Sequence, residues 1–328
     1  MKIAFFEIED WEREIIKKEL KTHSLMFFNR YFEENDVSKL QDVDVLAVFV
    51  YSKITKNVIN KLPNLKMIAA MSTGYDNIDV EYCHKKGIIV ANVPTYGENT
   101  VAEHTFALIL ALSRKLFPSI KRTHELQMFE TDDGLRGFDL KNKTIGIVGL
   151  GNIGKHVARI AKGFEMKVLA CTRHPKKTPG IKFVALDNLL HNSDIISLHV
   201  PYYKETHHLI DKNAVSKMKK GVILINTARG GIVNTDALVH GLESGKISGA
   251  ALDVLEGETE IKDEKQVLYK KHKEMSRLVL ENHLLMKMNN VIITPHNAFN
   301  SKEALSRIIN TTIKNILQLS KKRVKNKV

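Results

Sequence analysis

The stretch KTIGIVGLGNIGKHVARIAKGF, residues 143–164, joins a short apolar run to an amphipathic segment through a glycine-rich turn of the pattern Gly-x-Gly-x-x-Gly. Between a strand and a helix, each glycine of this pattern has a steric role. Gly149 allows the tight turn, Gly151 lets the backbone approach a bound group, and Gly154 lets the helix pack on the strand. The N–H groups at the start of such a helix attract phosphate. The pattern predicts a dinucleotide site, whose contacts would be Gly149, Gly151, Asn152, Ile153 and Gly154.

On both sides of this stretch, short apolar runs alternate with helical patterns, which is typical of parallel α/β sheets. The candidate strands before it are KIAFFE, VDVLAVFV, LKMIAA and GIIVAN. Those that begin with it or follow it are TIGIVG, MKVLAC, SDIISLHV, GVILINTA, ISGAALDV and NVIITP. We therefore predict an α/β protein with two parallel sheets.

A helix is expected over residues 99–116, and it is apolar on nearly all faces, so it should be buried between layers or between subunits. A closing helix is expected over 301–319, placed so that it can return to the first domain. The basic tail SKKRVKNKV (320–328) is expected to be a frayed, solvated end. The chain is expected to cross between domains at 94–100 and 296–300.

Composition excludes several classes of protein. The chain has 328 residues, with 50 Lys and Arg against 37 Asp and Glu, a net charge of +13. No apolar run reaches the roughly 18 residues that a transmembrane helix needs, and acidic residues follow the first apolar stretch, unlike a signal peptide. Cys83 and Cys171 have no metal-ligand spacing and indicate free thiols in a reducing cytoplasm. The expectations are a cytoplasmic protein with no metal and no membrane contact.

Three ionisable residues follow predicted strands, where ligands gather in open α/β sheets. Arg229 follows GVILINTA, Glu258 follows ISGAALDV, and His296 follows the strand in NVIITP. Arginine can grip the carboxylate of a 2-keto acid and polarise its carbonyl, and an imidazolium can protonate the developing alkoxide. A neighbouring carboxylate stabilises the charged imidazole. The three residues therefore form a candidate catalytic set for carbonyl reduction.

The segments INTARG, GAALDVLEGE and TPHNAF, with STGYDNID (72–79), VPTYGENTVAEH (93–104), GLGNIG and LHVPYYKETHHLI (198–210), resemble the D-isomer-specific 2-hydroxyacid dehydrogenases over nearly the whole chain. Within the family the chain most resembles the D-lactate dehydrogenase branch, because a long segment separates DVLEGE from TPHNAF and aromatic residues flank the site. This resemblance implies two Rossmann-like or flavodoxin-like domains. A substrate domain would comprise residues 1–98 and 299–328, with an inserted NAD(P)-binding domain at 99–298. It also implies a homodimer.

The resemblance also implies roles for individual residues. Arg229 would bind substrate, His296 would act as acid and base, and Glu258 would be the partner of His296. Backbone amides near Thr73 and Gly74 would bind the substrate carboxylate. The remaining pocket residues would be Tyr51, Tyr96 and Phe299, and the remaining cofactor contacts would be Val200, Pro201, Thr206, Thr227, Ala228 and, at the nicotinamide carboxamide, Asp253.

The sequence departs from the usual NAD pattern at one position. About 20 residues after the glycine turn, an acidic residue normally binds the ribose 2′-hydroxyl of NAD. Here Thr172 and Arg173 stand after the strand MKVLAC, and no acid is present. Arginine can pair with a 2′-phosphate, so the cofactor is expected to be NAD(P), with NADP somewhat favoured over NAD.

Several alternatives remain open at this stage. The enzyme could be a glyoxylate or hydroxypyruvate reductase, or a phosphoglycerate dehydrogenase, although the last usually carries an extra regulatory domain. A different class is a dinucleotide-sensing corepressor whose basic surface meets nucleic acid or its partners. No helix-turn-helix or zinc-ligand pattern supports DNA binding, so a small 2-keto or 2-hydroxy acid is the expected partner. The Lys-rich segment 261–277 is expected to be a solvated, partly helical excursion.

Overall fold

The computed structural model describes residues 1–258, 273–321 and 323–328. These residues separate into two compact units: unit 1 contains Met1–Tyr96 and Asn300–Val328, and unit 2 contains Gly97–Phe299. The expected limits, 98/99 and 298/299, differ from these by two residues and one residue. The first difference arises because Gly97 is the N-cap of the helix that begins at Glu98 and so belongs with that helix.

Unit 1 is built on a parallel sheet of five strands in the order β2-β1-β3-β4-β5. The strands are β1 Lys2–Phe5, β2 Ser24–Phe27, β3 Val45–Val48, β4 Met67–Ala70 and β5 Ile89–Ala91. Every residue of β3 and β4 is buried, as expected for a parallel sheet covered on both faces. The edge strand β2 was not predicted, because it is short and none of its residues is fully buried.

The helices of unit 1 begin with α1 (Asp10–Glu19), α2 (Lys56–Asn60) and α3 (Val80–Lys85). Its last helix, α11 (Lys302–Ser320), comes from the far end of the chain, and the Ser301 hydroxyl caps it by accepting from the Ala304 N–H. Buried Asn315 of this helix donates to the Asn92 carbonyl at 2.9 Å, just beyond β5. Unit 1 is therefore made from both ends of the described chain.

The last described residues of the basic tail pair with the sheet of unit 1, so the expectation of a frayed, solvated end is wrong. Lys327 forms an antiparallel bridge with Ala91 of β5, and the Val328 N–H donates to the Val90 carbonyl at 3.1 Å. Val324 is buried, and Val328 packs against the apolar core of unit 1. Val324 and Val328 contact the protein, whereas Lys325 and Lys327 are exposed, so the tail can add to the sheet edge while these charges remain in water.

Unit 2 is built on a seven-stranded sheet, also parallel throughout, in the order β12-β11-β10-β9-β6-β7-β8. The strands are β6 Thr144–Val148, β7 Lys167–Cys171, β8 Lys182–Phe183, β9 Ile195–Leu198, β10 Val222–Asn226, β11 Ile247–Leu252 and β12 Val291–Ile293. The predicted α/β class with two parallel sheets is confirmed. The two-residue strand β8 was not predicted, because so short an edge pairing leaves no apolar pattern.

The helices of unit 2 cover both faces of its sheet. They are α4 Glu98–Ser113, α5 Leu116–His124, α6 Asn152–Gly163, α7 Leu186–Asn192, α8 Lys212–Lys217, α9 Thr235–Glu243 and α10 Lys273–Lys287. The expected helix 99–116 ends earlier, at Ser113, because Lys115 adopts a left-handed backbone with φ of 53°. Phe106 and Ile109 of α4 pack into the core of unit 2 against Ile145 and Val157, as expected for a helix buried between layers.

The excursion expected at 261–277 lies mostly outside the described residues, and only its last part is described, as the start of α10. No helix within the described ranges is long and apolar enough to cross a membrane.

Candidate active site

The glycine turn after β6 has the geometry that its sequence requires. Gly149 has φ of +97°, and a Cβ there would lie 2.4 Å from the His199 carbonyl oxygen. A Cβ on Gly154 would lie 2.1 Å from the Gly149 carbonyl oxygen, so α6 can approach β6 only with glycine at this position. A Cβ on Gly151, by contrast, would meet nothing within 4 Å. Two glycines therefore permit close packing, and the third faces open space at the start of α6.

This turn fits a dinucleotide. The first N–H groups of an α-helix have no partner within the helix, and those of α6 begin at Asn152 and Ile153. They adjoin the open space above Gly151, where a pyrophosphate could approach the backbone. The residues that would hold the pyrophosphate are therefore Gly151, Asn152 and Ile153.

The residues expected at the adenosine ribose follow β7. Thr172 is half-buried and Arg173 is exposed. The Arg173 guanidinium lies 5.8 Å from the centre of the Tyr203 ring, and its Nη2 lies 3.8 Å from a Glu205 carboxylate oxygen. An acidic group is thus present beside Arg173, but it comes from the loop after β9.

That loop also carries the expected cofactor wall. The Thr206 hydroxyl donates to the Pro201 carbonyl at 2.7 Å and accepts from the Tyr203 N–H at 2.7 Å, which closes residues 201–206 into a tight turn. Val200 lies against the glycine turn, where a Cβ on Gly149 would lie 2.8 Å from its side chain. The two cofactor segments predicted from sequence are therefore neighbours in the structure.

Arg229 lies in the turn after β10, which buried Asn226 shapes. The Asn226 side chain donates to the Arg229 carbonyl at 2.9 Å and accepts from the Ala228 N–H at 3.0 Å. The hydroxyl of Thr227, which is also buried, lies 3.0 Å from that of Thr105 in α4. The guanidinium of Arg229 itself donates to the Ala228 carbonyl at 2.8 Å.

Gly230 brings the Arg229 turn against the loop that leads to Glu258. A Cβ on Gly230 would lie 2.1 Å from the Leu255 carbonyl carbon and oxygen and 2.4 Å from the Glu256 nitrogen. Only glycine allows this backbone contact. The turns after β10 and β11 therefore pack directly on each other, and each carries one of the predicted catalytic residues.

His296 and Glu258 form a hydrogen-bonded pair. Nδ1 of His296 lies 2.9 Å from Oε1 of Glu258, and the His296 side chain is only 14% exposed. A carboxylate can only accept, so the proton of this bond belongs to Nδ1. His296 has a left-handed backbone, with φ of 53°. For a residue with a Cβ this conformation is uncommon and often marks a functional site.

Asp253 holds the turn that carries His296. Its buried carboxylate accepts from the Asn297 and Ala298 N–H groups, each at 2.9 Å, and from the Thr294 hydroxyl. The His296 N–H donates to the Asp253 carbonyl at 2.8 Å. The structure thus gives Asp253 a role that sequence reasoning did not predict, and the predicted contact with the nicotinamide carboxamide stays a prediction.

Four of the predicted substrate residues belong to unit 1. The Thr73 hydroxyl donates to the Val93 carbonyl at 2.9 Å, and the Thr73 carbonyl accepts from the Asn92 side chain at 2.8 Å. These bonds fix the segment after β4 that carries Gly74. Tyr51 and Tyr96 are half-buried in the loops after β3 and β5, whereas the fifth residue, Phe299, is the last residue of unit 2.

The histidines near the cofactor wall are used in hydrogen bonds within the protein. The ring of half-buried His199 is withdrawn from water, which lowers its pKa to about 3, and its Nε2 lies 2.8 Å from the Ser197 hydroxyl. His208 pairs with Glu256, and His207 with the Tyr202 hydroxyl at 3.0 Å. Among the described residues, no three His, Cys, Asp or Glu side chains are grouped as a metal site requires.

Sequence reasoning missed Asn226, Gly230 and Glu205. Asn226 and Gly230 flank the predicted Arg229 within INTARGG. Asn226 could have been found, because it is a polar residue at the end of an otherwise apolar strand. Glu205 had no such signal, because its relation to Arg173 depends on β7 and β9 both flanking β6.

The comparisons with known proteins agree with this geometry. The family model described as D-isomer specific 2-hydroxyacid dehydrogenase, NAD binding domain, matches residues 106–298. A 2-hydroxyacid dehydrogenase homolog from Schizosaccharomyces pombe is 37% identical over 96% of this chain and 95% of its own length. A glyoxylate reductase from Thermococcus litoralis is 36% identical over 87% of this chain and 83% of its own.

Among solved structures, a D-lactate dehydrogenase from Aquifex aeolicus, complexed with NAD and lactic acid, superposes with a TM-score of 0.90. It is 39% identical and covers 99% of this chain and 98% of its own. The strand–turn–helix that fits a dinucleotide and the His296–Glu258 pair are thus found in a chain that matches dehydrogenases over nearly its full length. This chain belongs to the D-isomer-specific 2-hydroxyacid dehydrogenase family.

Proposed function

We propose that this protein reduces a small, pyruvate-like 2-keto acid to the corresponding D-2-hydroxy acid, as a D-lactate dehydrogenase does. The observation that carries the proposal is the 2.9 Å bond between His296 and Glu258, in the same unit as the glycine turn that fits a dinucleotide. When bound, the nicotinamide cofactor would supply the hydride. The protein would supply substrate binding, orientation and a proton.

Arg229 would bind the substrate carboxylate and polarise the 2-keto oxygen. A guanidinium suits this role, because its planar N–H groups can make two parallel bonds to a carboxylate. The Asn226 bonds and the contact at Gly230 hold the backbone of Arg229, which reduces the freedom that binding has to remove. That backbone amides near Thr73 and Gly74 bind the substrate carboxylate stays a prediction.

His296 would donate the proton that converts the developing alkoxide to a hydroxyl. Its Nδ1 proton is directed at Glu258, so the proton that moves would be the one on Nε2. The negative charge of Glu258 stabilises the imidazolium before transfer, and the bond orients the ring. In the oxidative direction the neutral Nε2 would accept the same proton. Asp253 would keep the His296 turn in place through its bonds to residues 294, 297 and 298.

We propose that the enzyme accepts both NAD and NADP, with NADP(H) favoured. The support is Arg173 after β7, in the place where NAD enzymes carry an acid. Glu205 lies 3.8 Å from the Arg173 guanidinium and neutralises part of its charge, which opposes binding of a 2′-phosphate. The preference would therefore be moderate.

The main alternative within the family is a glyoxylate or hydroxypyruvate reductase. The likeness to the Thermococcus litoralis glyoxylate reductase supports it. The difference would lie around the substrate side chain. Tyr51 and Phe299 are the residues that we expect near the methyl end of a pyruvate-sized acid, and Tyr96 is expected to line the pocket.

We also propose a cytoplasmic homodimer. Helix α5 has no buried residue. Its Phe117 is 64% exposed and its Ile120 is 55% exposed. Phe129, beyond α5, is 95% exposed. So large an exposed apolar surface usually marks an interface, and a second copy would cover it. The argument for a dimer thus comes from α5, because α4 is buried within its own unit. Two free thiols, Cys83 and Cys171, support a reducing compartment.

The test is a matrix of rates for pyruvate, hydroxypyruvate, glyoxylate and larger 2-keto acids with NADH and NADPH. We expect the highest kcat/KM for pyruvate, with the NADPH value above the NADH value. Arg229→Ala and His296→Ala should each lower kcat/KM by about 10²-fold or more. A wild-type protein that is inert on every 2-keto acid would contradict the proposal and favour a dinucleotide-sensing corepressor.

A further inference from the structure

Glu7 has an unusual position in unit 1. It is the second residue after β1, and it adopts a left-handed backbone with φ of 58°. Its N–H donates to the Arg30 carbonyl at 3.0 Å, which fixes this turn. A glutamate rarely adopts this conformation unless surrounding contacts hold it there. The contacts of its side chain show what holds it.

The Glu7 carboxylate binds the backbone of the loop after β3. Its Oε2 accepts from the Tyr51 N–H at 3.1 Å, and its Oε1 accepts from the Ser52 N–H at 3.1 Å and from the Ser52 hydroxyl. Burial raises the pKa of Glu7, as expected for a carboxyl group withdrawn from water.

Asn77 binds the carbonyl groups of the same loop. Its side-chain amide donates to the Phe49 and Ser52 carbonyl oxygens, each at 2.8 Å. Its own carbonyl accepts from the Ile54 N–H at 2.9 Å. Asn77 belongs to the segment STGYDNID, which also contains Thr73 and Gly74. We call the two residues the Glu7–Asn77 clamp, because one accepts from the N–H groups of residues 49–54 and the other donates to their carbonyls.

The clamp acts on the backbone of Tyr51. Tyr51 follows β3 and would contact the side chain of the substrate under the proposed function, on which this inference rests. Ser52 is fully buried, and its hydroxyl also accepts from the Phe32 N–H at 2.9 Å, so the residue after Tyr51 is fixed from several directions. Asn77 binds this loop and belongs to the same segment as Thr73 and Gly74. Loss of the Glu7 bonds should therefore let Tyr51 shift relative to Thr73 and Gly74.

We propose that Glu7 is a positioning residue that sets the substrate side-chain selectivity of this enzyme by holding Tyr51. The Glu7 carboxylate binds Tyr51 and Ser52, so it would not itself need to touch the reacting atoms. It acts through the loop, so its effect should depend on what the loop contacts. Pyruvate carries a methyl group where glyoxylate carries only hydrogen, so glyoxylate should be nearly insensitive to the position of Tyr51.

The test compares pyruvate with glyoxylate in Glu7→Gln, a substitution that keeps the shape of the side chain. One of the two carboxylate oxygens becomes an NH₂ group, which faces N–H donors instead of accepting from them. We expect the ratio of kcat/KM for pyruvate to that for glyoxylate to fall about tenfold, mainly through KM for pyruvate, because a hydrogen bond to a charged group is lost. The rate with glyoxylate should stay within about twofold.

Glu165→Gln is the matched control. Glu165 also has a left-handed backbone, with φ of 56°, but it belongs to unit 2 and pairs with Lys141 at the surface. This variant should leave the ratio unchanged. Ser52→Ala removes the hydroxyl that donates to Glu7 and accepts from the Phe32 N–H, but it keeps the two backbone bonds to the carboxylate. We therefore expect a smaller shift of the ratio in the same direction, and this variant tests the inference if Glu7→Gln does not fold.

Amide hydrogen exchange of residues 49–54 provides a readout that needs no turnover. It should be faster in Glu7→Gln than in wild type and unchanged in Glu165→Gln. Equal losses for pyruvate and glyoxylate, an unchanged ratio, or unchanged exchange would each overturn the inference. A wild-type enzyme without activity on either acid is a different result, because it would overturn the proposed function itself.

Discussion

The two units share one architecture but build their functional ends in different ways. Both have parallel sheets whose loops at the carboxyl ends of the strands carry the predicted site residues. In unit 2 the loops at this end of the sheet depend on glycine. Gly149, Gly154 and Gly230 each allow a backbone contact that a Cβ would prevent. In unit 1 the loops are held by side chains that are present, such as Glu7 and Asn77.

This difference follows from what each unit would bind. A dinucleotide is long and has phosphates, so its site needs exposed backbone N–H groups and room for close approach. A small acid needs a few groups in fixed positions, and buried polar side chains can fix loops at a cost in desolvation. We therefore expect unit 2 to be sensitive to added atoms and unit 1 to changed charge.

The largest effect is expected at Gly154. In Gly154→Ala the new methyl group would lie 2.1 Å from the Gly149 carbonyl oxygen, so α6 has to move, and unit 2 should lose about 3 kcal/mol or more of stability. Gly151→Ala meets no atom within 4 Å and should change stability by less than about 1 kcal/mol while raising KM for the cofactor about tenfold or more. Thermal unfolding and cofactor kinetics measure the two effects. Equal stability losses would break the contrast between the two glycines.

The second-largest effect is expected when the charge of the His296–Glu258 pair is changed. Glu258→Gln keeps an acceptor for the Nδ1 proton of His296 but removes the negative charge that stabilises the imidazolium. We expect kcat for 2-keto acid reduction to fall about 10²-fold, with cofactor binding unchanged by fluorescence titration. A variant with wild-type kcat would show that Glu258 only fills space.

Glu12 tests the buried charges of unit 1. This residue of α1 is 6% exposed, and burial raises its pKa to about 7 from the usual 4.5, although its carboxylate accepts from the Glu9 N–H. Because the folded-state pKa is higher, the folded state binds more protons between pH 4.5 and 7, and stability falls as pH rises through that window. The loss is complete above pH 7 and corresponds to about 3 kcal/mol.

Glu12→Gln should remove this dependence. The variant should be more stable than wild type at pH 8 by about 2–3 kcal/mol, and the difference should vanish near pH 4.5. Urea titrations followed by the fluorescence of Trp11, the one tryptophan of the chain, report on unit 1. Parallel stability curves for the two proteins at every pH would contradict the raised pKa.

The smallest effect is expected at Glu205. Glu205→Gln frees Arg173 to pair with a 2′-phosphate, so the ratio of kcat/KM for NADPH to that for NADH should rise about threefold to fivefold, as for an exposed ion pair worth up to about 1 kcal/mol. Arg173→Ala should lower the same ratio. A shift in the opposite direction for Glu205→Gln would show that Glu205 itself contacts the cofactor.

The sequence predicted most of the fold because parallel strands are buried on both faces and appear as apolar runs. The runs in β3, β4 and β10 stand out in this way, whereas the edge strands β2 and β8 are only four and two residues long and contain no buried residue. The break at Lys115 was missed because a left-handed lysine has no sequence signal. The basic tail was misread because its charges hid the two valines that pack on unit 1.

Within the site, sequence motifs predicted the residues whose chemistry is visible, and the His296–Glu258 bond agrees with them. They could not predict residues that act by holding others. Glu7 is separated from Tyr51 by 44 positions, and Asp253 from Asn297 by 44, so only the fold brings each pair together.

Unit 1 is completed late during synthesis, because it contains residues from both ends of the described chain. All of unit 2 leaves the ribosome before α11 and the tail that pairs with Ala91, so unit 2 can fold while unit 1 still lacks its last helix. During that interval the surface of unit 1 that later contacts α11 is uncovered. Docking of α11 onto unit 1 is therefore expected to be a later folding step than the formation of unit 2.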